Sequence, residues 1–250
     1  MSSKPYHDET TAGQLLLKAV EVRRSFRIGN KMVEALAPVS LSIDKGAFLI
    51  ITGPSGSGKS TLLNILSGLD RPSSGNVFFL GTSLTQLTPQ QRALLRNNRF
   101  GFIFQSPHLL LDKTVLENTL LPFSYGKRVD AAESRKRCMD LLEYVGMAHL
   151  AHRYPNTLSG GEMQRVVFAR AICRKPALIF ADEPTGSLDG DNSRKILNLL
   201  KEQTNKGRTV VMVTHDPEAQ EYSSSQLLLN KFTPAAERGK RGHGTLPDKF

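Results

Sequence analysis

The 250-residue chain lacks the features that mark secreted and membrane-spanning proteins. It contains no run of about 18 apolar residues, the length needed to cross a bilayer. Residues 1–14 contain no apolar core of the kind found in secretory signals, and we expect them to be flexible. The two cysteines, Cys138 and Cys173, lack the spacing of a metal site or a redox motif. We therefore expect a cytosolic protein whose cysteines are reduced and packed.

Aromatic residues do not alternate with the basic residues, which argues against nucleic acid as a partner. The net charge of +10 also suits anionic lipid or a polyphosphate ligand. Residues 231–250 hold five Lys or Arg against two Asp or Glu and are rich in Gly and Pro, so we expect a mobile basic tail. A second basic concentration favours a solvated helix face over a binding patch: Lys127, Arg128, Arg135, Lys136 and Arg137.

A short apolar run is followed by a glycine loop and a helical pattern in AFLIITGPSGSGKSTLLNILSGL, residues 47–69. The apolar residues 47–51 predict a strand. Residues 53–60 then fit the pattern G-x-x-x-x-G-K-[ST], in which glycines let backbone N–H groups surround phosphate oxygens. The helix that follows has one apolar face, formed by Leu62, Leu63, Leu66 and Leu69.

This loop predicts a site for a nucleoside triphosphate and Mg²⁺. Lys59 is placed to reach the β and γ phosphates as a point charge, and Ser60 to offer its hydroxyl to the metal. The helix directs its positive end at the same anion. The predicted phosphate-binding residues are Gly53, Pro54, Ser55, Gly56, Ser57, Gly58, Lys59, Ser60 and Thr61.

A second strand pattern supplies the carboxylates that such a site requires. In ALIFADEPTGSLD, the apolar residues 177–181 precede Asp182 and Glu183. Asp182 is placed to hold Mg²⁺, directly or through water, and Glu183 to act as the general base on the attacking water. An adjacent acidic pair is a weak signal alone, but it is strong beside a phosphate loop.

A third strand pattern, RTVVMVTHD over residues 208–216, ends near His215. Because the carboxyl ends of parallel strands meet at one edge of a sheet, we expect His215 near the γ phosphate. A neutral histidine can donate to phosphate while it accepts a hydrogen bond near the attacking water. A purely structural histidine is the alternative.

Residues 158–165, LSGGEMQR, are surplus to a nucleotide site built within one chain. Ser159 is placed to cap a helix over about 162–173. Gly160 and Gly161 then leave the first N–H groups of that helix free for a second phosphate contact. The spacing alone does not say whose phosphate they bind.

Together these segments resemble the nucleotide-binding subunit of ATP-binding cassette (ABC) transporters. GPSGSGKST, LSGGEMQR, LIFADEPTGSLD and VMVTHD match that family's phosphate loop, signature, metal-binding strand and switch histidine, in family order and over most of 20–216. The resemblance implies ATP, Mg²⁺ and an ATPase coupled to transport. It also implies a head-to-tail dimer in which each signature closes on ATP held by the phosphate loop of the other subunit.

The resemblance implies further site residues. Gln105 in FGFIFQSPHLL matches the glutamine that links the γ phosphate and the metal to the transmembrane partner. Phe26 matches an aromatic residue, usually tyrosine, that stacks on adenine, with core packing as the alternative. Ser187, Leu188 and Asp189 match a loop that crosses the dimer interface. The residues implied to be catalytic are Glu183, His215, Lys59 and Gln105. Those implied to bind the metal are Ser60, Gln105 and Asp182. Those implied to contact the nucleotide are Phe26, Ser159, Gly160, Gly161, Glu162 and Asp189.

Longer segments are similar to the subgroup that serves lipoprotein release and macrolide or peptide export, the LolD/MacB-like machines. They are LLNILSGLDRPSSGNVFFLG, RFGFIFQSPHLLLDKTVLENTLLP and DEPTGSLDGDN. That subgroup usually has Asn at the position of Ser187, and it ends in a strand pair around a glycine turn that SSSQLLLNKFTP lacks. These departures leave the nucleotide chemistry unchanged and the cargo open.

The implied fold class is α/β, a P-loop NTPase (RecA-like) core with an antiparallel β subdomain and an inserted α-helical subdomain. We expect the cassette over 15–230 and its helical subdomain, which grips the membrane partner, over about 106–158. The absence of internal repeats predicts one cassette per chain.

Two helix boundaries are predicted by capping and stop signals. Thr88 and Gln91 form a capping box, with Pro89 at the first helical position. Residues 130–146 predict a helix that ends at Gly146. Its inner face contains Leu142 and Val145.

The expected partners are a second, identical cassette and separate transmembrane permease subunits, at the cytoplasmic face of the inner or plasma membrane. The alternative is an ABC ATPase that moves no cargo, either a cell-division regulator or a DNA-associated ATPase. Gln105 and Ser159 are too close in sequence for a long coiled-coil insertion, and no cysteine zinc pattern occurs, which argues against DNA repair. A cell-division role stays open, as do the cargo, the identity of the two cassettes to each other, and the function of the tail.

Overall fold

The computed structural model describes residues 14–126 and 129–231. The expected flexible start, apart from Gln14, and the expected basic tail, apart from Lys231, lie outside the described residues. The strands are β1 (Leu15–Ile28), β2 (Lys31–Asp44), β3 (Phe48–Thr52), β4 (Ser74–Phe79), β5 (Thr82–Ser83), β6 (Phe100–Phe104), β7 (Leu178–Asp182), β8 (Thr209–Val213) and β9 (Ser225–Leu228). The helices are α1 (Lys59–Leu66), α2 (Pro89–Arg99), α3 (Val115–Leu120), α4 (Ala131–Tyr144), α5 (Gly160–Ile172), α6 (Gly190–Asn205) and α7 (Pro217–Gln220).

Five parallel strands form the central sheet in the order β6-β7-β8-β3-β9. Strands β3, β7 and β8 are buried along almost their whole length because both faces of the sheet are covered, one by helices and the other by α1 and a second sheet. This double burial explains why the sequence shows short continuous apolar runs there. Since β8 lies between β3 and β7, the carboxyl ends of these three strands lie side by side at one edge.

A second, antiparallel sheet has the order β2-β1-β4-β5. One hydrophobic core lies between this sheet, α1 and one face of the parallel sheet. The other core lies between the opposite face and helices α3 to α6. Successive residues of β3 alternate between the two cores, as the period of a strand requires: Phe48 and Ile50 belong to one, Leu49 and Ile51 to the other. The expected α/β architecture is confirmed.

Helices occupy much of the chain between Gln105 and Ser159. They comprise α3, α4 and 3-10 turns at Leu121–Ser124, Ala148–Leu150 and Pro155–Thr157. Helix α4 buries Leu142 and is followed by Gly146, whose φ of 73° ends the helix as predicted. The capping box of Thr88 and Gln91 is also confirmed.

The remaining sequence expectations have mixed outcomes. The cysteines are free and buried, as predicted. Helix α1 ends at Leu66, so Leu69 lies beyond it and is 46% exposed rather than on the inner face. Helix α5 begins at Gly160, two residues before the predicted start, because Ser159 and Glu162 form a complete capping box. Among the helices of the described residues, none is both long and apolar enough to cross a membrane.

Candidate active site

Three strand ends bring the predicted site residues together. Strand β3 leads into the phosphate loop, β7 ends at Asp182, and β8 is followed by His215. The register pairs Val213 with Ile51 on one side and with Asp182 on the other. The loop, the acidic pair and the histidine therefore share one edge of the sheet, as the three separate patterns predicted.

The phosphate loop is held between β2 and the segment after β9. A Cβ at Gly53 would lie 2.2 Å from the carbonyl O of Leu229, and one at Gly58 would lie 2.5 Å from that of Ala35. Both glycines also have positive φ, 146° and 92°, so another residue would be strained as well as crowded. The tight loop is thus fixed by its neighbours and not only by its own sequence.

Lys59 is folded along the loop that precedes it. Its Nζ donates to the carbonyl O of Gly53 at 2.8 Å and to that of Pro54 at 3.1 Å. These bonds close the loop around the ammonium group. The positive charge is therefore placed beside the backbone N–H groups that the pattern assigns to phosphate.

Ser60 and Asp182 form a small set of oxygen donors. The Ser60 hydroxyl donates to Asp182 Oδ1 at 3.1 Å. Burial raises the pKa of Asp182 above its ordinary value, while the Ser60 hydrogen bond opposes that shift and the Glu183 carboxylate adds to it. Among the described residues, no group of three or more His, Cys, Asp or Glu side chains could hold a metal. The Asp182 carboxylate and the Ser60 hydroxyl are too few to bind a metal ion without further ligands. They fit a Mg²⁺ site in which substrate phosphates supply the other ligands.

Hydrogen bonds fix the backbone N–H and the backbone carbonyl of Glu183. Glu183 has a φ of 47°, which is uncommon for a residue with a side chain. Its N–H donates to the carbonyl O of Val213 at 2.9 Å, and its own carbonyl accepts from the N–H of Gly186 at 3.1 Å. Its Oε2 is buried and accepts no hydrogen bond from the described residues. Solvent does not reach this oxygen in the present conformation, so a water molecule can contact it only after the side chain or its neighbours move.

His215 is paired with the other oxygen of the same carboxylate. Its Nδ1 lies 2.9 Å from Glu183 Oε1. The histidine side chain is 77% exposed, whereas that of Glu183 is 19% exposed. The hydrogen bond to Glu183, followed by the charge of that carboxylate, raises the pKa of His215. The switch histidine predicted from sequence thus contacts the predicted general base directly.

This pair predicts a pH dependence. Because the pKa of His215 is raised, the ion pair is complete below the ordinary histidine pKa of about 6.5 and is lost as pH rises through the raised value. Glu183→Gln removes the carboxylate, so the pKa of His215 should fall towards its ordinary value. An NMR titration of the His215 ring signals measures this directly, with the other histidine signals as internal references. An equal midpoint in both proteins would contradict the pairing.

Gln105 lies beside the loop that follows Glu183. It comes directly after Phe104, which pairs with Asp182 in the sheet. Its side-chain Nε2 would be 3.1 Å from a Cβ at Gly186. In the part of the chain that the structure describes, no hydrogen bond joins Gln105 to Ser60 or Asp182. The structure thus places Gln105 at the site, and its metal contact stays a prediction.

The signature segment, residues 158–165, forms its own compact cap. The N–H of Ser159 donates to Glu162 Oε2 at 2.7 Å, and the N–H of Glu162 donates back to Ser159 Oγ at 3.4 Å. This pairing holds the pKa of Glu162 below its usual range. Within 14–126 and 129–231, no hydrogen bond connects the segment with the phosphate loop. The structure therefore does not bring the two predicted phosphate contacts of one chain together.

The two signature glycines have different surroundings. A Cβ at Gly161 would lie 2.5 Å from Cγ of Asn192 on α6, so this glycine is required by packing within the chain. A Cβ at Gly160 would meet only Leu188 Cδ2, at 3.8 Å. Gly160 is exposed at the first turn of α5, where the helix N–H groups have no partner within the helix. Packing within this chain therefore gives no reason for a glycine at 160.

Phe26 lies on the β1–β2 hairpin and is 42% exposed, so core packing, the alternative considered for it, is wrong. The guanidinium of Arg24 lies 4.5 Å from the centre of the ring, and it also donates to Asp70 Oδ1 at 2.9 Å. The aromatic ring is thus supported by a fixed cation. Stacking on adenine stays a prediction.

Asp189 caps helix α6 in this chain. Its Oδ1 accepts from the N–H of Asn192 at 2.9 Å, and its Oδ2 accepts from Asn192 Nδ2 at 2.8 Å. Asn192 is also the residue that packs on Gly161. The Asp189 loop therefore positions the start of the signature helix, while a nucleotide contact of Asp189 stays a prediction.

Sequence reasoning missed two polar residues on α5. Gln164 is 1% exposed, and its side chain donates to two backbone carbonyls beside the site. Arg170 donates to the carbonyls of Pro107 and His108 at 2.9 and 3.0 Å, and burial lowers its pKa. Gln164 precedes the buried residues Val167 and Phe168 by three and four positions, a spacing that places it on the inner face of the helix. That spacing was the available signal.

The fold and the site define a phosphate-loop nucleoside triphosphatase: a parallel sheet with the phosphate loop, Asp182 and Glu183 at one edge. Residues 36–186 match the family described as ABC transporter, and this chain belongs to that family. The expected α/β class and the assignment as an ABC-type ATPase cassette are confirmed.

Relatives confirm the expected subgroup. The lipoprotein-releasing system ATP-binding protein LolD of Psychrobacter arcticus is 44% identical over 216 residues, covering 86% of this chain and 95% of LolD. The macrolide export ATP-binding/permease protein MacB of Chlorobaculum tepidum is 41% identical over 227 residues, covering 90% of this chain. The chain spans 34% of the length of that MacB.

Solved structures show the same fold. The dimeric structure of MJ0796, an ABC transporter cassette, is 38% identical to this chain, with a TM-score of 0.80 over 86% of this chain and 94% of that one. A second dimeric structure of MJ0796 represents a post-hydrolysis state bound to ADP and Pi, with the same identity and TM-score. These findings support ATP as the ligand of this site.

Proposed function

We propose that this chain is the ATP-hydrolysing motor subunit of an ABC transporter that exports or extracts a substrate through separate membrane subunits. Residues 15–230 form the cassette, and about 106–158 form its helical subdomain. The names of the LolD and MacB relatives support a lipoprotein, peptide or drug-like cargo. The chain binds peripherally at the cytoplasmic face of the membrane.

In this proposal different residues of the chain bind the phosphates, activate the attacking water, bind the metal and contact the adenine. Lys59 and the loop N–H groups bind the β and γ phosphates. Glu183 orients and polarises the attacking water with its carboxylate, and His215 holds Oε1 of that carboxylate. Ser60, Asp182 and Gln105 hold Mg²⁺, which neutralises charge on the phosphates when bound. Phe26, supported by Arg24, offers its free face to adenine.

One observation carries the two-chain part of the proposal. Gly160 lies at an exposed helix start that no hydrogen bond of the described chain connects to the phosphate loop. A helix start with free N–H groups binds anions well, so a second cassette can supply the anion as ATP on its own loop. The dimeric MJ0796 structure supports this arrangement. Each site then consists of one chain's phosphate loop and the other chain's signature.

A groove beside β6 is the proposed contact for the membrane subunit. It is a cavity of about 350 Å³. It is lined by apolar side chains and three arginines, including Leu69, Phe102, Phe104, Arg96, Arg170 and Arg174. Among the described residues, none of the three arginines forms an ion pair with a carboxylate. The groove thus offers apolar surface and unneutralised positive charge.

The chemistry of this groove favours one occupant, a short amphipathic helix of the membrane subunit that carries apolar and acidic side chains. Gln105 follows the last residue of β6 directly. A helix bound against this strand is therefore next to the residue that we propose contacts the metal and the γ phosphate. Such an occupant connects ATP hydrolysis with movement of the membrane subunit.

Charge reversal in the groove tests this contact. Arg96→Glu should reduce co-purification of a multi-span membrane protein with the tagged chain by about tenfold, because each lost or repelled charge pair weakens binding. Arg99→Glu is the control, since Arg99 lies on the same helix but is exposed and outside the groove. Mass spectrometry of the material purified from native membranes with ATP gives the readout.

Equal recovery of the membrane protein with Arg96→Glu and with Arg99→Glu would contradict the groove as the contact. If the wild-type chain captured no membrane protein, the transporter proposal itself would be contradicted. Nucleic acid would then be the next partner to test.

A further inference from the structure

Gln164 is a buried amide that none of the site roles above uses. It lies one turn into α5 and is 1% exposed. Its Nε2 donates two hydrogen bonds, each 2.9 Å long, to the carbonyl oxygens of Phe104 and Pro184. Both N–H groups of one amide are thus used on backbone oxygens from two distant parts of the chain.

The two carbonyls belong to residues next to the proposed hydrolytic groups. Phe104 is the last residue of β6 and precedes Gln105. Pro184 follows Glu183, whose own N–H is bound to Val213 on the other side. The backbone of Glu183 is therefore anchored before and after the residue, and its uncommon φ of 47° shows that the local chain needs such anchors.

Gln164 is part of the signature segment, so its amide joins Phe104 and Pro184 to the start of α5. Gln164 lies four positions after Gly160 on a single rigid helix. Movement of the helix start therefore moves the amide that holds Phe104 and Pro184. Among the described residues, no hydrogen bond joins the Gln164 side chain to the phosphate loop or to the Phe26 hairpin, so its hydrogen bonds bear on the hydrolytic groups and not on the groups that bind ATP.

We propose that Gln164 is a positioning residue for ATP hydrolysis, whose two hydrogen bonds hold Glu183 and Gln105 in register with the signature helix. The proposal rests on the role of Glu183 proposed above. It requires that loss of the two donors slow the chemical step while ATP affinity is retained. Small displacements of catalytic groups lower kcat strongly, which makes the effect measurable.

Gln164→Leu in the full chain tests this role, because leucine keeps a similar volume and removes both donors. We expect kcat for ATP hydrolysis to fall about tenfold or more, with KM for ATP unchanged within about twofold. Gln164→Asn is a second, milder variant that keeps the amide but is one methylene too short to reach both carbonyls. It should give an intermediate kcat and the same KM.

Gln203→Leu is the matched control. Gln203 is also a fully buried glutamine, and it donates to a backbone carbonyl, that of Leu199, at 3.3 Å. It lies at the far end of α6, next to the amino end of β8 and away from the site. This variant should lose thermal stability comparably to Gln164→Leu and keep the wild-type kcat.

The proposal is overturned if Gln164→Leu and Gln164→Asn keep the wild-type kcat, or if Gln203→Leu lowers kcat equally at equal loss of stability. A rise in KM as large as the fall in kcat would also overturn it, since the residue would then serve ATP binding. Failure of the underlying site assignment is distinguishable: in that case Glu183→Gln itself would retain hydrolysis.

Discussion

Glu183→Gln is expected to retain ATP binding, to lose ATP hydrolysis by about a hundredfold or more, and to accumulate an ATP-bound dimer. The amide keeps the shape of the carboxylate but cannot accept a proton from the attacking water. Lys59, Ser60 and the phosphate loop are unchanged, so the nucleotide still binds. Without hydrolysis, the closed pair of cassettes has no route to reopen.

The measurements are steady-state phosphate release, equilibrium ATP binding, and gel filtration with ATP. Glu143→Gln is the control, because Glu143 is an exposed carboxylate on α4, away from the strand ends. Retained hydrolysis in Glu183→Gln would contradict the general base. A variant that stays monomeric where the wild type dimerises with ATP would contradict the two-chain site.

Gly160→Asp is expected to abolish ATP-dependent dimerisation and to lower turnover by about tenfold or more, without loss of monomer stability. A side chain at this position fits its own chain, since the nearest atom to its Cβ would be 3.8 Å away. An acidic residue in the first turn of a helix also stabilises the helix through its dipole. The same charge would repel a phosphate brought by a partner.

A substitution that lowers turnover but leaves stability unchanged identifies a residue that binds a ligand rather than one that the fold requires. Gln90→Asp is the control, because it adds the same charge to the exposed first turn of α2. Thermal unfolding, dimerisation with ATP and turnover are measured for both variants. Normal dimerisation and turnover in Gly160→Asp would show that no phosphate approaches this helix start.

The residues of the site that could be predicted from sequence are those that stand in short local patterns. The phosphate loop follows one strand, Asp182 and Glu183 follow a second, and His215 follows a third. Because the carboxyl ends of parallel strands lie at the same edge of a sheet, the three strand assignments were enough to predict that these residues lie close together. The capping box of Ser159 and Glu162 is equally local, because both partners lie within one helical turn.

Other features depend on contacts between distant segments and could not be predicted locally. The need for glycine at 161 comes from Asn192 on another helix, and the use of Gln164 comes from carbonyls of β6 and of the loop after β7. The exposure of Phe26 depends on the path of β1, whose pairing with β2 has several register shifts. A one-residue shift in a strand exchanges its faces, so the pattern alone leaves such exposure undetermined.

The central claim, that each ATP site is shared by two chains, is tested most directly by mixing two variants that are each impaired in ATP hydrolysis. Lys59→Ala damages the phosphate loop, and Gly160→Asp damages the signature. In a mixed dimer, one site carries both defects, while the other joins the intact loop of one chain to the intact signature of the other. We predict that the mixture has a higher ATPase activity per chain than either variant alone. A mixture as inactive as its components, with mixed dimers shown to form, would contradict the shared site.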